Sequence, residues 1–156
     1  MRAFTYALEK SHDELIAILA CVHENAYLND LTHEINYRLG TYLFWLLSTW
    51  ERIEKNTQFQ ICAADMEYMR ALKHAYNSIK HEETLVEPIS TAKKGGFTFP
   101  IVFPLIIPMS KFVWVKLHDT GKFQNQLKKY QQTLEGRELG ETIKQSQVIT
   151  KKFIRS

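Results

Sequence analysis

Four side chains able to hold or move charge recur along one stretch of the chain: Arg70, His74, Asn77 and His81. If the segment is helical, spacings of four, three and four residues set them in one stripe. Lys73 and Lys80 flank that stripe. Imidazoles titrate near neutral pH and can act as general base or acid. A guanidinium and two ammonium groups can hold a phosphate and stabilise its developing charge, and an amide can orient a substrate or fix an imidazole tautomer. Together these are the parts of a metal-free ribonuclease: a base for the 2′-hydroxyl, an acid for the leaving oxygen and a cation at the phosphate. The competing interpretation is an ordinary solvated helix face.

The residues between them set the opposite face. Met69, Leu72, Tyr76 and Ile79 recur at helical spacing, so a third helix is expected from about 64 to 83, with Pro88 forbidding much extension. Two helices precede it. Ser11-His-Asp-Glu14 has the form of a capping box, with Leu15, Ile18, Leu19 and Val22 behind it, giving a first helix to about Tyr27. Asp30 or Thr32 is the expected cap of a strong second helix to Lys55, whose Leu39, Leu43, Leu46, Leu47, Trp50 and Ile53 mark the centre of a core.

After Lys93-Lys-Gly-Gly96 the pattern changes to β-branched and aromatic residues punctuated by Pro100, Pro104 and Pro108, followed by Lys111-Phe-Val-Trp-Val115. Prolines confine such a run to an edge or an irregular extended segment. A small β-hairpin or arm near 97–117 is expected, inserted over 93–118. The same prolines and Lys111 argue against a membrane-spanning helix. A fourth helix follows from Phe123 to Leu134 and a fifth through Ile143, Val148, Ile149 and Phe153, with Gly136 and Gly140 breaking the chain between them. The fold class is therefore mainly α, an up-and-down helical bundle with a small β insertion, as one domain over 1–156.

Composition agrees with a packed domain: 45% hydrophobic and 24% charged residues in 156. Two cysteines, Cys21 and Cys62, without CxxC spacing, and an N-terminus interrupted by Glu9 and Lys10, point to the cytoplasm and to thiols buried in the core. The net charge of +3 is uneven. Residues 121–156 carry eight Lys or Arg against three Glu, leaving twelve against fourteen acidic groups before them. A basic terminal segment suits nucleic acid or an acidic partner as well as a solvated helix face. P-loop, GxGxxG, HExxH and GxSxG patterns are missing. His74 and His81 would stand about 10 Å apart along a helix axis, too far to share one ion unaided. Neither a metal site nor a cofactor is expected.

The segment Leu72-Lys-His-Ala-Tyr-Asn77-Ser-Ile-Lys-His81, late in a small helical domain, resembles the HEPN superfamily of helical bundles. Asn77-Ser-Ile-Lys-His81 matches the polar-x-x-x-His half of that family's motif. The arginine half departs from it, since Tyr76 precedes Asn77. The resemblance implies an RNA-binding protein or metal-independent ribonuclease of a defence or toxin–antitoxin system, acting as a homodimer. His81 and Asn77 would be its catalytic pair, with Arg70, Lys73, His74 and Lys80 as phosphate contacts. The alternative is a non-catalytic helical interaction protein that meets a protein partner through the apolar arm at 97–117.

Overall fold

The periodicity of the second expected helix carries most of the architecture. In a computed structural model, which describes residues 2–20, 28–56, 58–79, 84–90, 110–118 and 123–154, helix α2 spans Leu28–Glu54. Ile35, Leu39, Tyr42, Leu43, Leu46, Trp50 and Ile53 are buried along its length. Repeats of three and four keep them on one broad stripe, and α1 (Arg2–Ala20), α3 (Ala63–Ile79) and α5 (Leu139–Ile154) pack around it. Helix α4 (Gln124–Thr133) lies against α3. Strands β1 (Val86–Ser90) and β2 (Ser110–Trp114) form a two-stranded antiparallel hairpin, with Val86 opposite Trp114 and Ser90 opposite Ser110. The protein is mainly helical with a small β insertion, as its patterning predicts.

Several local expectations change. Helix α1 begins at Arg2, so Ser11 lies inside it and caps nothing; its buried Oγ donates to the Leu8 carbonyl at 3.0 Å. Glu14 instead accepts a 2.7 Å bond from Arg38, which also holds Glu34 one turn earlier on α2. Asp30 and Thr32 fall within α2 rather than ahead of it. Gly140 lies within α5, while Gly136 alone makes the break, at a φ of 72°. Cys62 is exposed, not buried: it stands at the start of α3, where its Sγ accepts the Asp65 N–H at 3.5 Å, a capping position that faces water. Cys21 lies outside the described residues.

The hairpin reaches further back than the expected insertion. Residues 86–90 supply its first strand, and Asn36 on α2 anchors its start. The Asn36 carboxamide accepts the Leu85 N–H at 2.9 Å and donates to the Val86 carbonyl at 3.4 Å and the Thr32 carbonyl at 2.9 Å. Pro88 sits opposite Phe112, tolerated because a two-stranded ribbon leaves each strand an edge. The α4–α5 turn then closes on β2. Trp114 N–H donates to the Arg137 carbonyl at 3.1 Å, and Gly136 N–H donates to the Trp114 carbonyl at 2.9 Å. Phe112, Val113, Trp114 and Leu117 are all buried, so this part of the arm is core and unavailable to a partner. Residues 97–109 lie outside the described residues.

Helix α5 presents a buried polar stripe, Thr142, Ser146 and Thr150, one turn apart. Each hydroxyl donates to a carbonyl of its own helix, a habit of Ser and Thr in helices that leaves the oxygen free to accept. Trp114 Nε1–H reaches Thr142 Oγ1 at 2.7 Å, and the Tyr42 hydroxyl meets Ser146 Oγ at 2.8 Å. Since the Ser146 proton is already given to Ile143, Tyr42 is the donor there. The Tyr68 hydroxyl donates to the Thr142 carbonyl at 2.8 Å. Three aromatic donors from α2, α3 and β2 thus converge on one helix.

Two outcomes follow from this stripe. Thr142→Val keeps the shape but leaves the buried Trp114 N–H without an acceptor, which costs about 1–3 kcal/mol. Tyr68→Phe removes a donor from a carbonyl that helix α5 can still use, costing about 1 kcal/mol. Thermal melts should therefore rank Thr142→Val below Tyr68→Phe, and a reversed order would mean the Trp114 bond contributes little. Burial also holds the Tyr42 and Tyr68 phenols well above their ordinary value of 10. Below pH 10 both folded and unfolded chains keep these protons; above it the unfolded chain ionises first, so stability falls as pH rises. Urea unfolding across that range should show the decline, and a double Tyr42→Phe, Tyr68→Phe variant should show a flatter one.

Candidate nucleic-acid interface

Helix α3 buries Asp65, Tyr68, Met69, Ala71, Leu72, Ala75 and Ser78, about half its circumference. Arg70, Lys73 and Asn77 lie within an arc of roughly 60° on the other half. They line one groove of about 430 Å³ between α2 and α4. Buried Leu47, Trp50 and Met69 form its base. Glu51 and Glu54 border it from α2, and Asn125, Gln126 and Lys129 from the first turns of α4.

The groove is cationic but not uniformly so. Lys73 Nζ lies 3.3 Å from Glu51, and Lys129 Nζ lies 3.0 Å from Glu67 on the outer side of α3. Arg70 is exposed and has no carboxylate partner among the described residues. Exposed pairs of this kind contribute about 0–1 kcal/mol. An incoming phosphate can replace such a carboxylate at little cost, and at Arg70 it displaces no carboxylate of the described residues.

His74 departs from the stripe. It is half-buried, its ring meeting Tyr130 of α4 edge-on at 6.1 Å between centroids, and it does not line the groove. The reason is angular: His74 lies on the far side of Arg70 from Lys73, towards α4. It therefore serves the α3–α4 packing. Of the six residues singled out by sequence, Arg70, Lys73 and Asn77 come together and His74 stands apart. Lys80 and His81 lie outside the described residues.

Residues from two other helices complete the groove and were not visible as site residues in the sequence. The run Gln124-Asn-Gln126 was the available signal, three amides in succession at a helix start. Phe123, which leads into them, adopts a left-handed conformation with φ of 62°, a cost of about 1–2 kcal/mol for a residue with a side chain. Nothing in the residue pattern of α4 announces that folding brings it beside α3.

A second surface feature lies on the other flank of α3. Tyr37, Gly40, Phe44, Tyr76 and Ile79 line a shallow apolar depression, with Tyr37 66% and Phe44 44% exposed. Among the described residues no three His, Cys, Asp or Glu side chains gather as metal ligands, and no helix is long and apolar enough to cross a membrane.

Substitution should separate packing from binding along α3. His74→Ala removes the edge contact with Tyr130 and should lower the melting temperature by a few degrees, corresponding to about 1 kcal/mol. Arg70→Ala and Lys73→Ala, both exposed, should stay within about 0.5 kcal/mol of the parent. Equal losses for all three would mean that the groove residues are structural.

No family model, curated protein or solved structure matches this chain.

Proposed function

We propose that the chain is a HEPN-like RNA-binding protein that acts as a metal-independent ribonuclease of a defence or toxin–antitoxin system, working in the cytoplasm as a homodimer. The observation that supports this most is that Arg70, Lys73 and Asn77 share one groove to which α4 adds Lys129. Arg70 and Lys73 take the phosphate, the first through a planar fork and the second as a point charge. His81 abstracts the 2′-hydroxyl proton, and the 2′-oxygen attacks phosphorus. The bond to the 5′-oxygen then breaks, and that oxygen leaves with the proton that His81 has taken up, giving a 2′,3′-cyclic phosphate. Asn77 orients His81, and Lys80 adds charge beside it. His74, packed on Tyr130, has no part in the step.

A second reading is that of a non-catalytic interaction protein. The exposed Tyr37 and Phe44 favour it, since aromatic side chains are enriched where proteins meet. The partner would then seat on the α2–α3 depression and not on Phe112, Val113, Trp114 and Leu117, which are buried.

Cleavage assays on single-stranded and structured RNA in EDTA test the ribonuclease. The parent protein should cut, His81→Ala should lose about a hundredfold or more in rate, and Arg70→Ala should lose affinity. Equal cleavage by parent and His81→Ala, or none by either, eliminates the catalytic proposal. Sedimentation at several concentrations should give the mass of a dimer; a monomer throughout sinks that part of it.

A further inference from the structure

The groove beside α3 is larger than an anion requires. Its volume of about 430 Å³ falls within the range of small-molecule sites, and its base is apolar. A duplex backbone, contacted from outside by exposed cations, has no use for a recess floored by Leu47, Trp50 and Met69. A single base does, because its faces are apolar and its polar groups lie on its edge.

The walls supply the remaining chemistry in the right places. Asn125 and Gln126 stand at the α4 border, and their side-chain carboxamides make no hydrogen bond among the described residues. Each offers a donor and an acceptor, as the edge of a base requires. Glu54, across the groove on α2, forms no ion pair among the described residues and can only accept. An acceptor selects bases bearing an exocyclic amino group. Lys73 and Lys129 already face carboxylates, whereas Arg70 faces none among the described residues, so Arg70 fixes the phosphate position. Glu51 and Glu54 repel the phosphate from the α2 wall and so orient the nucleotide, its phosphate towards α3.

We infer that the groove holds one unpaired nucleotide, its base on the Leu47–Trp50–Met69 floor, its edge read by Asn125, Gln126 and Glu54, and its phosphate on Arg70. The inference rests on the RNA-binding reading above and deepens it, predicting single strands over duplexes and adenine or cytosine over uracil. The same chemistry fits a free nucleoside monophosphate, and the test separates the two sources.

Fluorescence anisotropy with short 2′-O-methyl oligomers of A, C or U, which resist cleavage, and a matching duplex measures polymer binding. Calorimetry with AMP, CMP and UMP measures the free ligands. Oligomers of A and C should bind about tenfold more tightly than U and than the duplex. Arg70→Ala should weaken every single strand about tenfold, while a double Asn125→Ala, Gln126→Ala variant should bring A, C and U within about twofold of each other. Both positions are exposed, so circular dichroism melts should match the parent's. Monophosphates binding in the same base order, without any oligomer binding, would uphold the groove assignment and overturn the RNA reading. Oligomers bound without base preference, with a preference the α4 double variant leaves intact, or no more tightly than the duplex, would overturn the groove assignment and leave the RNA reading standing. No binding by any of the probes would overturn both.

Discussion

Thr142 has to satisfy two neighbours at once without leaving its helix. Its hydroxyl donates to the Leu139 carbonyl and accepts the Trp114 indole N–H, while its own carbonyl accepts the Tyr68 hydroxyl. Each bond is buried, where an unmet donor is far more costly than the net worth of a met one. The consequence is positional. Strand β2 cannot slide along α5 without orphaning an indole, and α3 cannot rotate without orphaning a phenol. Once α5 is placed, the azimuth of α3 follows, and with it the direction in which Arg70, Lys73 and Asn77 face.

The same constraint separates what could be read from the residues alone from what could not. Helix α2 was legible because its apolar residues repeat over its whole length and nothing competes with that signal. The start of α1 was not. Residues 2–10 bury only Leu8, so there is little periodicity to extend, and Ser11 imitates a cap while bonding back to Leu8 inside the helix. The hairpin's second strand was legible from its β-branched and aromatic run. Its partner was hidden, because Val-Glu-Pro-Ile-Ser looks like a linker until Asn36, 50 residues earlier than Val86, supplies its first hydrogen bonds. Half the candidate site was likewise local to α3 and could be found by angle, whereas Asn125, Gln126 and Lys129 belong to it only through the α3–α4 packing.

Charge was a weaker guide than shape. The basic tail of the sequence suits nucleic acid or an acidic partner, yet within it Lys129 is held by Glu67 at 3.0 Å and Lys152 by Asp65 at 2.8 Å. Pairing across elements ties two of these cations to acids elsewhere in the fold. What is distinctive at the groove is a guanidinium with no ion pair among the described residues, set above an apolar recess, a contrast that a residue count does not reveal.

The hydrogen bonds between Gly136, Arg137 and Trp114 have a consequence for the order in which the chain can mature. During synthesis the two strands emerge well before the turn that completes their edge and before the helix that receives the indole. Until residues 136–142 leave the ribosome, Trp114 has neither its backbone partners nor Thr142, and the hairpin is one of the two-stranded ribbons that are marginal in water. The first three helices can associate earlier, but the arrangement that aims α3 is locked only when the last quarter of the polypeptide arrives. The groove is therefore a late product of translation, and a nascent chain displays its cations before it has a recess to put beneath them.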